Sequence, residues 1–138
     1  MDDREQRYRQ KINFVIEKVK SFPSRPTNST EVDALLYRVQ VAIEAVVDIV
    51  AMLVKDKGYS VSDDYHNIDQ MIKLKVVNLA LGEELKKLNG LRNAIVHKYN
   101  AFEEETVVKN KEKIGKVLIA FLTQTEHELK TIFKNNKK

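Results

Sequence analysis

One long apolar segment, residues 30–57, constrains the fold of this 138-residue chain more than any other feature. Its apolar side chains recur at helical spacing around most of the circumference: Val32, Leu35, Leu36, Val39, Ile43, Val46, Val47, Ile49, Val50 and Leu53. Other helices or a second subunit must cover a helix that is apolar on nearly all sides. Its most apolar run, residues 39–54, is interrupted by polar side chains and is too short for a membrane span. The segment therefore predicts a buried helix that ends near Gly58.

The remaining segments also have helical periodicity. Amphipathic patterns predict helices over residues 2–20, 64–73 and 79–95, and a last helix follows a break at residues 100–102 and runs almost to the end. Ser29 or Thr30 can cap the second helix, and Ser62 can cap the third. Two prolines and four glycines leave long uninterrupted segments, and no strand alternation of any length occurs. The sequence predicts an all-α fold, an antiparallel four- to five-helix bundle.

The composition excludes several classes of chemistry. Without cysteine, the chain has no disulfide, thiolate nucleophile or cysteine-based zinc site, which suits a cytoplasmic protein. The charged and polar residues 1–11 do not resemble a signal peptide. A net charge of +4 is compatible with an anionic partner but does not single out RNA.

The reactive side chains of the chain gather in one stretch, residues 91–99. Arg92 and Tyr99 are seven residues apart and return to within about 20° of each other on a helix. Asn93 and His97 are four apart and are neighbours on an adjoining face. Arg92 and His97 point about 140° apart, so a bend, a second helix or a second subunit must bring them together. A guanidinium that grips phosphate oxygens and an imidazole that transfers protons suit a phosphodiester substrate.

Two carboxylates of the apolar helix are candidates to support this stretch. They belong to a narrow polar sector formed by Tyr37, Gln40, Glu44, Asp48 and Lys55. Burying carboxylates without partners is costly, so we expect Glu44 and Asp48 to face water or a cation, with Arg92 as the favoured partner. The alternative is a solvated stripe on an otherwise buried helix. Gly90, just before the stretch, is expected to permit close helix packing.

The residues favour proton transfer and charge stabilisation over metal chemistry. His66, His97 and His127 are far apart in sequence, and two carboxylates are a thin ligand set, so we expect no metal and no other cofactor. RNA carries its own nucleophile, the 2′-hydroxyl, and its cleavage needs a proton-transfer group and a cation. His97 can fill the first role and Arg92 the second, while Asn93 can orient His97 or the phosphate. One histidine per chain is sparse for both acid and base, and a symmetric dimer would supply two.

A structural interpretation of the same residues also exists. His97 at a helix C-terminus could complement the macrodipole, and Tyr99 could be a half-buried anchor with a hydrated hydroxyl. His66 and His127 are expected to be structural or surface residues.

The sequence from Arg92 to Tyr99, Arg-Asn-Ala-Ile-Val-His-Lys-Tyr, resembles the Arg-x4-His-x-Tyr signature of the HepT-like toxins, which belong to the HEPN superfamily of small all-helical proteins. The apolar helix with Glu44 and Asp48, the short segment with Tyr65 and the closing helix follow in the family's order. The resemblance thus covers nearly the whole chain and implies one HEPN-like domain over residues 1–138.

This resemblance implies a function, a partner and a regulation. It implies a homodimer with a composite cleft, and metal-independent endonuclease chemistry on RNA by Arg92 and His97, with products that end in a cyclic phosphate. It also implies a type VII-like toxin–antitoxin pair, in which a minimal nucleotidyltransferase antitoxin transfers AMP groups to Tyr99. The added phosphates would place negative charge where the RNA phosphate must bind.

Two alternatives remain open at the level of sequence. The chain could be a non-catalytic nucleotide-binding or scaffold subunit of a nucleotidyltransferase, with Arg92 and His97 holding a nucleotide. It could also be a helical interaction protein whose apolar second helix forms a dimer seam. The intact Arg-x4-His-x-Tyr pattern favours the enzyme.

Overall fold

Five helices make up the computed structural model, which describes residues 2–97 and 101–134, the last range without the side chains of residues 101–103. The helices are α1 (Asp3–Lys20), α2 (Ser29–Asp56), α3 (Asp64–Lys73), α4 (Leu79–His97) and α5 (Ala101–Ile132). No strand occurs in these two ranges. The predicted all-α helical bundle is confirmed.

Helix α2 is the centre of the bundle, because it packs against each of the other four helices. Leu35, Ile43, Ile49 and Leu53 are at most 1% exposed, as the apolar pattern of this segment predicts. Within the described ranges α1 and α4 do not contact each other, so α2 lies between them in the packing. None of the helices in those ranges has the length and hydropathy that a membrane span requires.

The caps of α2 and α3 each lie one residue away from a predicted position. Asn28 caps α2, where its side-chain oxygen accepts a hydrogen bond from the Glu31 amide at 2.9 Å. The predicted caps of α2, Ser29 and Thr30, are instead the first residues of that helix. Asp63 caps α3 in place of Ser62. An amide or carboxylate oxygen caps a helix as well as a hydroxyl does, so the side-chain type alone does not choose between neighbours.

The end of α2 agrees with the prediction, and the start of α5 does not. Helix α2 ends one residue before its C-cap Lys57, and the next residue, Gly58, has a φ of +91°, a conformation that favours glycine. Helix α5 begins at Ala101, so the predicted break over residues 100–102 is too long at its C-terminal side. Asn100 lies outside the described residues.

Two hydrogen bonds fix the chain where it enters α3. Asn67 is 3% exposed, and its side-chain oxygen accepts from the Ser62 amide at 2.8 Å. Its side-chain nitrogen donates to the Ser62 carbonyl at 3.1 Å. The first residue of α3, Asp64, is therefore held in place against α4 by a buried amide.

Close packing of α3 on α4 occurs at Gly82. A Cβ atom at Gly82 would lie 2.3 Å from Cδ1 of Ile72, which is a severe overlap. Among the described residues, a Cβ atom at Gly90 would meet only the Tyr65 hydroxyl, at 3.6 Å, which is an ordinary contact. The expectation of close packing at Gly90 is wrong, because the contact it anticipates lies two turns earlier on the same helix.

Candidate functional site

The guanidinium of Arg92 lies where three helices meet. Its Nη2 donates to Oδ2 of Asp64 at 3.1 Å and to Oδ1 of Asn89 at 3.2 Å. Its Nη1 lies 3.8 Å from Oε2 of Glu44. Side chains from α2, α3 and α4 thus hold one cation at the end of α4.

Burial restricts the movement of this cation. The Arg92 side chain is only 22% exposed, and its Nε is buried without a hydrogen-bond partner among the described residues. A buried donor without a partner costs about 1–3 kcal/mol, so packing around the stem must compensate for it. Only the outer part of the guanidinium can reach a ligand.

The two predicted carboxylates of α2 have different partners. Glu44 forms an ion pair with Arg92, as expected, and its Oε2 accepts from the side-chain Nε2 of Gln40 at 3.4 Å. Asp48, one turn later, forms an ion pair with Lys11 of α1 at 3.4 Å. Asp48 thus faces water and a cation, as expected, but Arg92 as its favoured partner is wrong, because at that turn the polar sector of α2 meets α1.

A groove between α1 and α2 connects these two carboxylates. It is open to solvent, has a volume of about 380 Å³, and is lined in part by Lys11, Phe14, Val41, Glu44 and Asp48. The Phe14 ring is partly exposed beside it. Glu44 is common to the groove and to the Arg92 cluster, so the two lie next to each other.

The rest of the motif lies at the C-terminal end of α4. His97 is the last residue of the helix and is exposed, and Asn93 is partly exposed one turn earlier. Because α4 is helical through His97, Arg92 and His97 leave it about 140° apart. The sequence predicted Tyr99 on the Arg92 face, and Tyr99 lies outside the described residues. The roles of Asn93, His97 and Tyr99 stay predictions.

The other two histidines lie on the surface, as expected. His66 is exposed, and its Nδ1 lies 2.7 Å from Asp63, whose carboxylate also accepts from the His66 amide. These hydrogen bonds lower the pKa of Asp63, the backbone bond contributing most. His127 is exposed on α5. Among the side chains that the structure describes, those of residues 2–97 and 104–134, no group of three or more histidine, aspartate or glutamate residues could hold a metal ion.

Sequence reasoning missed two partners of Arg92. Asn89 is three residues before Arg92 on the same helix, and this spacing alone could have identified it. Asp64 is 28 residues away and opens α3, where an acidic residue already has a local explanation in the helix dipole. No pattern in a single sequence relates these two positions.

Comparison with known proteins gives one family and several relatives. The model described as "HepT-like: Ribonuclease HepT-like" matches residues 9–125. A protein of Archaeoglobus fulgidus named "Putative RNase" is 39% identical over 129 residues, which cover 94% of this chain and 98% of the relative. A second protein of that organism with the same name is 46% identical over 99 residues, 70% of this chain and 74% of the relative.

Two solved structures have a similar fold. One is a tri-AMPylated HEPN toxin of Shewanella oneidensis in complex with an MNT antitoxin, with a TM-score of 0.78 and 20% identity over 92% of this chain and 99% of that chain. The other is a mutant toxin–antitoxin complex, MntA-HpeT, with a TM-score of 0.65 and 21% identity over 83% of this chain and 98% of that chain. At these identities the likeness is one of fold.

Proposed function

The chain belongs to the HepT-like ribonuclease family, and on that premise we propose that it is an RNA endonuclease that needs no metal ion. Arg92 binds the scissile phosphate and stabilises its developing charge, and His97 transfers protons. The observation that carries this proposal is the Arg92 guanidinium, held between three helices with its outer edge toward solvent.

The chemistry uses groups that the substrate and these two residues supply. The ribose 2′-hydroxyl attacks the adjacent phosphorus and loses its proton to a histidine. The bond from phosphorus to the 5′-oxygen breaks, and that oxygen leaves after gaining a proton. The products are a 2′,3′-cyclic phosphate and a 5′-hydroxyl. Arg92 stabilises the negative charge on the non-bridging oxygens, which is greatest in the transition state.

A homodimer would bring together an Arg92 and a His97 that diverge within one chain. Arg92 and His97 leave the same helix about 140° apart, so a phosphate bound at Arg92 is not directly opposite the His97 of the same chain. In a two-fold symmetric dimer, the cleft contains two copies of each residue, and one histidine can act as base while the other acts as acid. Asn93 then orients His97 or the phosphate, and Asp48 contributes to the groove beside Glu44.

Two relatives in fold support a proposal for the biological role. One of them is an AMPylated HEPN toxin bound to an MNT antitoxin, which supports the same role here. We propose that this chain is the toxin of a type VII-like pair that acts in the cytoplasm. A minimal nucleotidyltransferase antitoxin would silence it by AMP transfer to Tyr99, because phosphates placed next to Arg92 compete with the RNA phosphate.

The decisive experiment is cleavage of a mixed RNA substrate in EDTA. Unmodified wild type is compared with His97→Ala, with Arg92→Ala, and with His127→Ala as the matched control for loss of an exposed histidine. We expect cleavage by wild type and the control, cyclic-phosphate ends on the products, and a loss of at least about 100-fold in the two site variants. Absence of cleavage by folded, dimeric, unmodified wild type would contradict the proposed function.

A further inference from the structure

We propose that Asp64 is a positioning residue for Arg92. Its carboxylate holds Nη2 of the guanidinium and thereby leaves Nη1 as the nitrogen that meets the RNA phosphate. The inference rests on the proposed ribonuclease function and adds to it a residue of α3 that lies outside the Arg-x4-His-x-Tyr motif.

The hydrogen bonds of the guanidinium distinguish its two terminal nitrogens. Among the described residues, both hydrogen bonds come from Nη2, at 3.1 Å to Asp64 and 3.2 Å to Asn89. Nη1 is 3.8 Å from Glu44, an ion-pair distance but too long for a hydrogen bond. A guanidinium is planar, so fixing Nη2 while Nε is buried also fixes the direction of Nη1.

The two acceptors of Nη2 are themselves held in place. Asn89 is 1% exposed, so it has little freedom to follow a moving guanidinium. Asp64 is the first residue of α3, directly after the Asp63 cap. The buried Asn67, with its two hydrogen bonds to Ser62, fixes the backbone just before that cap. The backbone that carries the Asp64 carboxylate is therefore fixed.

A pair of this kind matters more for orientation than for folding. The Asp64 side chain is 36% exposed and that of Arg92 is 22% exposed. Ion pairs that are partly exposed add little to folding stability. Orientation of a charge toward the transition state has a much larger effect, since a misplacement of about 1 Å can lower the rate about 100-fold. We therefore assign the effect of Asp64 to kcat.

The experiment compares Asp64→Ala with Asp69→Ala in the RNA cleavage assay. Asp69 lies on the same helix and forms an ion pair with Lys86 of α4, so its removal also takes one negative charge and one α3–α4 ion pair from the protein. For Asp64→Ala we expect a fall in kcat of about 10- to 100-fold with a smaller change in KM. For Asp69→Ala we expect wild-type values.

A conservative variant separates positioning from a general structural effect. Asp64→Asn keeps an oxygen that can accept from Nη2, so it should recover most of the activity that Asp64→Ala loses. If Asp64→Ala cleaves as well as Asp69→Ala, or if folded Asp64→Asn is as inactive as Asp64→Ala, the assignment is wrong.

A measurement without substrate keeps the inference testable apart from activity. Side-chain nitrogen NMR of Arg92 should show slow rotation about the Nε–Cζ bond in wild type and in Asp69→Ala, and faster rotation in Asp64→Ala. Equal rotation rates in all three would overturn the positioning role. Failure of the wild-type protein to cleave RNA would instead contradict the proposed function, whatever the NMR result.

Discussion

Oε2 of Glu44 lies 3.8 Å from Nη1 of Arg92. Nη1 is the terminal nitrogen that makes no hydrogen bond among the described residues. A phosphate that binds Nη1 must displace or accommodate this carboxylate. Glu44 therefore has two opposite effects on the proposed site. It holds Arg92 before RNA binds, and it competes with the RNA phosphate for Arg92.

The first prediction is that Glu44→Gln binds RNA more tightly. A partly exposed ion pair contributes up to about 1 kcal/mol, so the gain in affinity should be at most about fivefold. Binding is measured by fluorescence anisotropy in the His97→Ala background, where the RNA stays intact, and the gain should shrink at high salt. The control is Glu112→Gln, which makes the same charge change at an exposed residue of α5 that pairs with Lys111 and not with Arg92. An equal gain in that control would show a general charge effect instead.

The second prediction contrasts two glycines of α4. Gly90→Ala should stabilise the protein by about 1 kcal/mol, because alanine favours a helix and the new methyl group has room. Gly82→Ala should destabilise it, because overlap with Ile72 costs about 1–3 kcal/mol and outweighs the same helical gain. Urea unfolding followed by circular dichroism measures both effects.

A second substitution tests the cause assigned to Gly82. Adding Gly82→Ala to an Ile72→Ala protein should cost less than adding it to wild type, because the overlapping atoms are gone. Equal costs in the two backgrounds would contradict the steric explanation.

The third prediction concerns Tyr8, which is fully buried and whose hydroxyl donates to Oδ2 of Asp56. Burial and this hydrogen bond raise the pKa of Tyr8 well above its ordinary value of 10.0. Above pH 10.0, Tyr8 of the unfolded chain releases its hydroxyl proton, while Tyr8 of the folded chain keeps it. The stabilisation is thus complete below pH 10.0 and is lost as pH rises above it, by at most about 1.4 kcal/mol per pH unit.

The measurement for Tyr8 is unfolding by urea between pH 8 and pH 11. Tyr8→Phe removes the titrating group, so its stability should fall less steeply over this range, from a lower starting value because Asp56 loses a donor. Arg4, whose Nε lies 2.9 Å from Oδ2 of Asp56, should keep its ion pair in this variant. Parallel pH profiles for the two proteins would show that Tyr8 does not control the alkaline transition.

Periodicity was sufficient to predict α2 and one of its contacts. The apolar residues of this helix required cover on most sides, and the structure supplies it from four helices. The polar sector then required water or a cation for Glu44, and Arg92, the favoured partner, forms an ion pair with it. Both inferences follow from the cost of exposing apolar surface or burying unpaired charge, which is set by the residues of one helix.

Contacts that depend on which helices are adjacent could not be predicted in the same way. Periodicity gives the direction in which Asp48 points, but not that α1 with Lys11 lies there. Likewise, nothing near Asp64 in the sequence indicates that the start of α3 packs beside Arg92. Tertiary packing decides such pairs, and a single sequence records them only indirectly.

The last prediction tests whether Arg92 and His97 act from different subunits. Arg92→Ala and His97→Ala chains, each inactive as a homodimer, are co-expressed with different tags, and the mixed dimer is purified. If Arg92 of one subunit works with His97 of the other, the mixed dimer keeps one complete pair but only one of the two histidines. It should therefore recover part of the cleavage, with water in place of the missing acid or base. The geometry favours this result, since the two side chains leave α4 about 140° apart. A doubly tagged His97→Ala dimer controls for the tags, and a mixed dimer as inactive as that control would show that one Arg92–His97 pair across the interface is not sufficient for cleavage.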